Sequence, residues 1–454
     1  MPEKRLSHKN NFAQYFYVLI VFFAITLLAG QFYITRQNFE QLLVWQILLH
    51  CIFVFFYFKK EYISIKQIVA AGVVLRIGSA FIMPSLSDDI YRFIWDGQLI
   101  THSQNPLLTT PDNFLAAMPN TGVNYNYFSK LHGLINHPQF YTCYPPLMQF
   151  VFTVAAFIGA KSILASAIII KLLVAFSDCI AIVFLLKILQ HLKLNNKLVL
   201  LYALNPLVII EGAGNAHFEV MQVALMLVSI YYILEKKLTV AALFWGLAVI
   251  TKLLPLLLLP LIVRYLGLKK GFVFCVICLL FVGASFLPFI SIQSINTFSQ
   301  SLNLYFQNFE FNASVYYLAR EIGWWVKGYN FISFIGPLLM VIFLFVYATI
   351  FFINRKIYEY SFFVLALIVL TLYYFFATTV HPWYIINLLP FALFSNKKYA
   401  FVWMCTAFLS YNAYSNILFN ENYWMIAFEY AVVIGAICYS FKSSFFNKIF
   451  NIKN

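Results

Sequence analysis

The chain has 454 residues, of which 63% are hydrophobic, 20% aromatic and only 10% charged, with a mean hydropathy of +0.82 and a formal net charge of +14. That composition excludes a soluble globular domain. Because the Lys and Arg residues are scattered through short loops rather than gathered in a stripe, it also excludes nucleic acid as their partner and leaves membrane topology as their purpose.

Apolar stretches of about 15 to 26 residues recur from Phe12 to Phe441, and in lipid each has to be helical so that its backbone bonds are satisfied internally. No period-two alternation suggests a barrel. The expected fold is an all-α polytopic integral membrane protein with about 12 to 14 transmembrane helices. The basic N-terminus and the run Phe12 to Gly30 resemble a signal peptide. The run is longer than an h-region, however, and no small-residue cleavage site follows, so it reads as an uncleaved first span.

Spans near 42 to 58 and 65 to 83 come next and bring the chain outside if its basic start is cytoplasmic. Residues 84 to 144 form a large first extracytoplasmic loop, rich in Asn, Pro, Tyr and His. It is too polar for lipid and too aromatic for disorder, and is expected to fold back over the membrane with its aromatic rings at the interface. Further spans follow near 145 to 160, 163 to 188, 198 to 211, 220 to 234, 239 to 266 and 271 to 288. A second extracytoplasmic loop, 289 to 330, precedes the last spans near 331 to 353, 359 to 377, 383 to 395, 399 to 417 and 423 to 441.

Basic loops at Lys59/Lys60, Lys236/Lys237, Lys269/Lys270, Arg355/Lys356 and Lys397/Lys398 read as cytoplasmic. If every segment were a simple crossing, the Lys236/Lys237 loop would fall outside. The run 239 to 266 holds Lys252 and Pro255 near its middle, so it is expected to be two half-length helices. No internal repeat is visible, and residues 1 to 454 read as a single membrane-embedded domain of a multi-pass plasma (inner) membrane protein.

Of the seven cysteines, only Cys143 falls in a long polar loop, so no disulfide framework is implied. Cys275 and Cys278 have redox or zinc half-site spacing, but no second pair or His cluster accompanies them, and they read as packing residues.

The densest polar chemistry begins where the third span ends. In Ser87-Asp-Asp-Ile-Tyr-Arg-Phe-Ile-Trp-Asp-Gly97, Ser87 can cap a helix whose first turn carries Asp88 and Asp89. That accounts for two acids at a helix start but not for the rest. Asp88, Arg92 and Asp96 lie four apart and share a helix face, with Asp89 close to the same arginine. Ionised groups are thus concentrated beside the bilayer, where a soluble and a lipid-borne group can meet.

This stretch, with Asn105-Pro106 and Tyr144-Pro-Pro146, resembles the first extracytoplasmic loop of bacterial GT-C superfamily glycosyltransferases, in particular the polyprenyl-phosphate-mannose-dependent mannosyltransferases. Asn205-Pro206 with Glu211, Gly214-Asn-Ala-His217 with Glu219, Lys252-Leu-Leu-Pro255 and His381-Pro-Trp-Tyr384 are similar to that group as well. The resemblance implies an inverting transferase that moves a hexose, mannose, from a polyprenyl-phosphate donor to a glycan or glycolipid acceptor at the extracytoplasmic face. It also implies an aspartate general base, carried here to Asp89 or Asp88. A sugar on a polyprenyl phosphate already has its leaving group, so such an enzyme has to deprotonate an acceptor hydroxyl, stabilise an oxocarbenium-like centre and neutralise the departing phosphate. No Gly-rich phosphate loop is needed.

Around that base, Arg92 and Asp96 are expected to order the site or touch the sugar phosphate. His217 and Glu219 suit a cavity wall, against the alternative of a satisfied interfacial histidine, and the resemblance implies a substrate contact for Tyr144. Lys252, costly in an apolar helix, suits a phosphate contact. His381 and Trp383 fit a sugar platform or an aromatic belt. Arg320 and Glu321 are expected to neutralise each other, and Arg76, Lys171 and Asp178 to serve helix packing. No metal site is evident and no cofactor is required; a divalent ion on Asp88 and Asp89 is chemically compatible but less necessary with a monophosphate leaving group. The rival class is a transporter or flippase of lipid-linked sugars, which favours ionisable groups spread through the midplane and two related halves. Here the polar motifs cluster toward one face.

Overall fold

A computed structural model describes residues 2–307, 309–353, 357–416 and 419–449. Arg355 and Lys356, expected in a basic loop, lie outside the described residues. Among the described residues the secondary structure is helical, apart from an isolated parallel bridge between Phe311 and Thr379. Among the described residues seven helices are long and apolar enough to cross a bilayer: Phe16–Tyr33, Phe39–Phe58, Ile163–His191, Leu268–Phe289, Ile332–Ile353, Glu359–Phe376 and Tyr423–Lys442. The protein is therefore an all-α polytopic membrane protein.

The other expected spans take shorter or broken forms. Pro146–Gly159, Glu219–Leu234, Leu238–Val249, Leu254–Leu266 and Pro382–Phe394 are apolar helices of fewer than 18 residues. The run 239 to 266 is interrupted at residues 250–253, where Lys252 sits, as its composition suggested. The segment 198 to 211, expected as one span, is instead a pair of short helices bent by 55°. Its break is at Asn205-Pro206: proline has no N–H to continue the first helix, and Asn205 caps the second by accepting from the Leu207 amide at 3.0 Å.

The chain divides into two compact units, Met1–Leu256 with Phe272–Leu304, and Leu257–Gly271 with Tyr305–Asn454. The first begins with α1 (Pro2–Tyr33), α2 (Phe39–Phe58) and α3 (Ile65–Ala80), the last opened by a Ser64/Gln67 capping box. Three helices then fold the loop 84–144: α4 (Asp89–Thr101), α5 (Pro111–Ala117) and α6 (Val123–His132). Trp95 and Phe128 depart from the interfacial placement expected of the loop's aromatic residues. Trp95 and Phe128 are fully buried and pack edge-to-face at 5.0 Å, with Phe114 against both, so the loop has a core of its own.

After the loop come α7 (Pro146–Gly159) and α8 (Ile163–His191). Helix α4 lies on α7 so closely that a Cβ at Gly97 would stand 2.2 Å from the Phe152 carbonyl oxygen. Helix α8 packs on Glu219–Leu234, which packs in turn on Leu238–Val249. Arg76 of α3 and Asp178 of α8 form a fully buried ion pair at 2.6 Å, and the same guanidinium donates to the Ala203 carbonyl at 2.7 Å, just before the Asn205 break. Lys171 donates to the Ile82 carbonyl at the end of α3. These three ionisable residues thus hold helices together; the Arg76–Asp178 pairing, 102 residues apart, has no signal in sequence spacing.

Candidate active site

Helix α4 carries the acidic motif, and its three acids meet different fates. Asp88 occupies the N-cap position but makes no capping bond. It pairs instead with Arg36, from the α1–α2 connection, and accepts from Asn136 Nδ2 at 2.9 Å. The capping contact goes to Ser87, whose hydroxyl accepts the Asp89 amide at 3.3 Å. Asp96 is fully buried and accepts three bonds, from Arg92 Nε (2.9 Å), Thr142 Oγ1 (2.5 Å) and Gln149 Nε2 (3.1 Å). Asp89 is half-buried, and its carboxylate has no ion pair or hydrogen bond among the described residues. Burial raises the pKa of the neighbouring Tyr91 phenol, and the charge of Asp88 adds to the effect.

Of the acids that share its face at helical spacing, Arg92 pairs with Asp96 and not with Asp88 or Asp89. Its Nε goes to Asp96 and its Nη1 to the Phe140 carbonyl at 2.8 Å, fastening α4 to the end of the loop. Nη2 is buried with no hydrogen-bond partner among the described residues.

An aromatic cluster joins this helix to the next motif. Phe93 stacks on Phe152 of α7 at 4.7 Å, and the Tyr144 and Phe218 rings stand edge-on to both at 5.0 to 5.6 Å. Phe218 lies between His217 and Glu219, so it brings the Gly214-Asn-Ala-His217 segment against α4. That segment turns through a π-helical stretch, Ile210–Gly214, followed by Ala216 at φ +62. The turn aims inward a residue that sequence reasoning missed as a site member: Glu211, fully buried, accepts from His217 Nδ1 (2.9 Å) and Asn215 Nδ2 (3.1 Å). Asn215 Oδ1 accepts the Leu86 amide at 3.3 Å, which ties the turn to the strand of chain leading into Asp88. A carboxylate inside an apolar run was the available signal.

Lys252 sits in the break after Leu238–Val249, about a quarter exposed (28%), and forms an ion pair with the buried Glu219. Gln222, one turn further along, donates to the Lys252 carbonyl at 2.6 Å. The Leu147 amide donates to the Ile250 carbonyl at 3.2 Å, which places the Tyr144-Pro-Pro146 turn beside the break. Asp88, Asp89, Arg92, Asp96, Tyr144, His217, Glu219 and Lys252 therefore all belong to the first unit and to one connected set of contacts.

His381 and Trp383 belong to the second unit. Their rings stack at 4.3 Å, 6° from parallel, with Phe311 on His381 at 4.7 Å and Tyr384 edge-on at 5.3 Å. Both are nearly buried, so they form an aromatic core here rather than an open platform. Arg320 pairs with Glu321 at 3.1 Å as expected, and also with Glu310 at 2.7 Å. Among the described residues no three His, Cys, Asp or Glu side chains are grouped to hold a metal ion.

A family model described as the MptA_B family, alpha-(1->6)-mannopyranosyltransferase, N-terminal domain, matches residues 9–267. No curated protein and no solved structure matches the chain.

Proposed function

The chain belongs to the MptA_B family of alpha-(1->6)-mannopyranosyltransferases, and from that premise we propose that it transfers mannose from a polyprenyl-phosphate donor with Asp89 as the general base. The coarser statement needs no proposal: it is a mannose-transferring membrane glycosyltransferase. The observation that carries the finer reading is the contrast along α4. Asp88 and Asp96 are committed to Arg36, Asn136, Arg92, Thr142 and Gln149, while the Asp89 carboxylate is left available.

In the proposed reaction Asp89 takes the proton of an acceptor hydroxyl as its oxygen bonds to C1 of mannose. The bond from C1 to the phosphate oxygen breaks, and the polyprenyl phosphate leaves with the electron pair. Attack opposite the leaving group inverts C1, so a β-linked donor gives the α linkage that the family description names. Lys252 and Arg92 supply cationic donors for the departing phosphate; His217 and Tyr144 line the acceptor side. The acceptor is a glycan or glycolipid, and the site faces outward from the plasma membrane.

The test is transfer from labelled polyprenyl-phosphate mannose to membrane-extract acceptors by the reconstituted protein. Asp89→Asn is expected to remove transfer while Asp88→Asn retains it, and the product is expected to carry α-linked mannose. Transfer by Asp89→Asn at the normal rate would overturn the assignment of the base, and a β-linked product would overturn inversion from a β-linked donor.

A further inference from the structure

In the second unit the helix Val315–Lys327 has its amphipathicity reversed. The face turned into the protein is polar: Tyr316, Tyr317 and Arg320 are buried and bond to Glu310, Asn330, Glu421 and Tyr423. The face turned outward is apolar. Leu318, Ile322 and Trp325, spaced i, i+4 and i+7, are 71%, 59% and 85% exposed, and Val326 flanks them. A helix facing water would carry the opposite pattern.

We propose that this helix rests on the lipid bilayer, with its Leu318/Ile322/Trp325 stripe seated at the headgroup boundary. Two further observations choose lipid as the occupant. The helix ends at Gly328 in the left-handed conformation (φ +75), and the apolar helix Ile332–Ile353 begins just beyond it. Phe334, Leu338, Val341 and Phe345 form an exposed stripe along that helix, so the two apolar surfaces are adjacent in the chain at a membrane boundary. Charge sets the depth. Glu321, 56% exposed, borders the stripe and Lys327 closes the helix, and neither follows the apolar face into hydrocarbon without a large cost. Tryptophan beside ionised residues is the composition of the interfacial layer.

The experiment uses the full chain in phosphatidylcholine vesicles whose acyl chains carry bromine either just below the glycerol esters or near the chain ends. Subtracting the emission of Trp325→Phe from that of the wild type isolates Trp325 among the eight tryptophans, and its exposure makes the replacement mild. Shallow bromine is expected to quench Trp325 about twofold more than deep bromine, with little quenching by aqueous iodide. Iodide quenching without bromine quenching would overturn the proposal, because the face would then meet water. Stronger quenching by deep bromine would overturn the depth. Bromine-independent emission that shifts with the protein-to-lipid ratio would replace lipid by a second copy of the chain.

Discussion

The three aspartates of α4 and the glutamates of the second unit carry the same carboxylate and differ in how far their surroundings satisfy it. In the second unit Glu310 receives Arg320, Tyr316 and Asn330; Glu321 receives Arg320; Glu421 receives the Asn312 amide and Tyr317; Glu429 receives Trp403 and Asn312. These four are consumed by structure, whereas Glu359, half-buried at the start of the helix Glu359–Phe376, has no ion pair or hydrogen bond among the described residues. On α4 the same satisfaction reaches Asp88 and Asp96 and stops at Asp89. Acid content alone therefore does not mark chemistry, and neither does an unpartnered carboxylate alone: Asp89 differs from Glu359 in sharing its helix with the Arg92–Asp96 pair.

The sharpest way to break this contrast is to remove the leftover. Asp89→Asn keeps the volume and the Ser87 contact to the backbone amide, so folding should be unchanged while transfer falls by about 10²- to 10⁴-fold, the usual worth of a positioned base. Glu421→Gln in the second unit, measured beside it, should leave the rate within about twofold, since an acid held by its own partners supplies no barrier lowering. Equal losses from both would erase the distinction.

The next largest effect is expected in stability. Asp96→Ala strands Arg92 against α4 without its buried partner and leaves Thr142 and Gln149 without their acceptor, at a cost of about 3–5 kcal/mol. Detergent-solubilised protein should melt earlier and yield should fall. Asp96→Asn, which retains an acceptor, should be milder. Gly97→Ala follows at about 1–3 kcal/mol, because its methyl would collide with the Phe152 backbone and push α4 off α7. That shift also moves Asp89, so the variant is expected to lose activity beyond its loss of folded protein, read as a lower kcat in the correctly folded fraction.

Much of this was legible before any coordinates. Apolar length located the long apolar helices, though not those of the two polar loops, and the charge at Lys252 located the break near residue 250, because both follow from local chain composition. The acidic motif was visible as a cluster for the same reason. Its internal division of labour was not. Arg36 lies 52 residues from Asp88, and Thr142 and Gln149 lie 46 and 53 from Asp96, so which acid is consumed depends on tertiary packing that periodicity does not encode. Helical spacing marked the face on which Arg92 meets Asp96, four residues on, but could not say which of the neighbouring acids the arginine takes. Trp95 was misplaced for a related reason: hydropathy does not distinguish a ring buried in a loop's own core from one resting at a membrane interface.

The smallest expected effect sharpens the comparison from the side of the satisfied acids. Burial raises the Glu421 pKa from its ordinary value, while the Tyr317 hydroxyl and the Asn312 amide oppose the shift. A raised folded-state pKa means the folded protein holds the proton more tightly than the unfolded chain does. Starting from the ordinary glutamate value of about 4.3, stability is therefore lost as pH rises through the raised one, and the penalty is complete above it. Glu421→Gln removes the ionisation and keeps a carbonyl for the Asn312 amide. At neutral pH the variant should melt slightly above the wild type, and the gap should close on acidification as Glu421 takes up its proton. A gap that stays constant across that window would mean that Glu421 does not titrate there. Its burial would then impose no cost on the charge, because the Tyr317 hydroxyl and the Asn312 amide would already offset it.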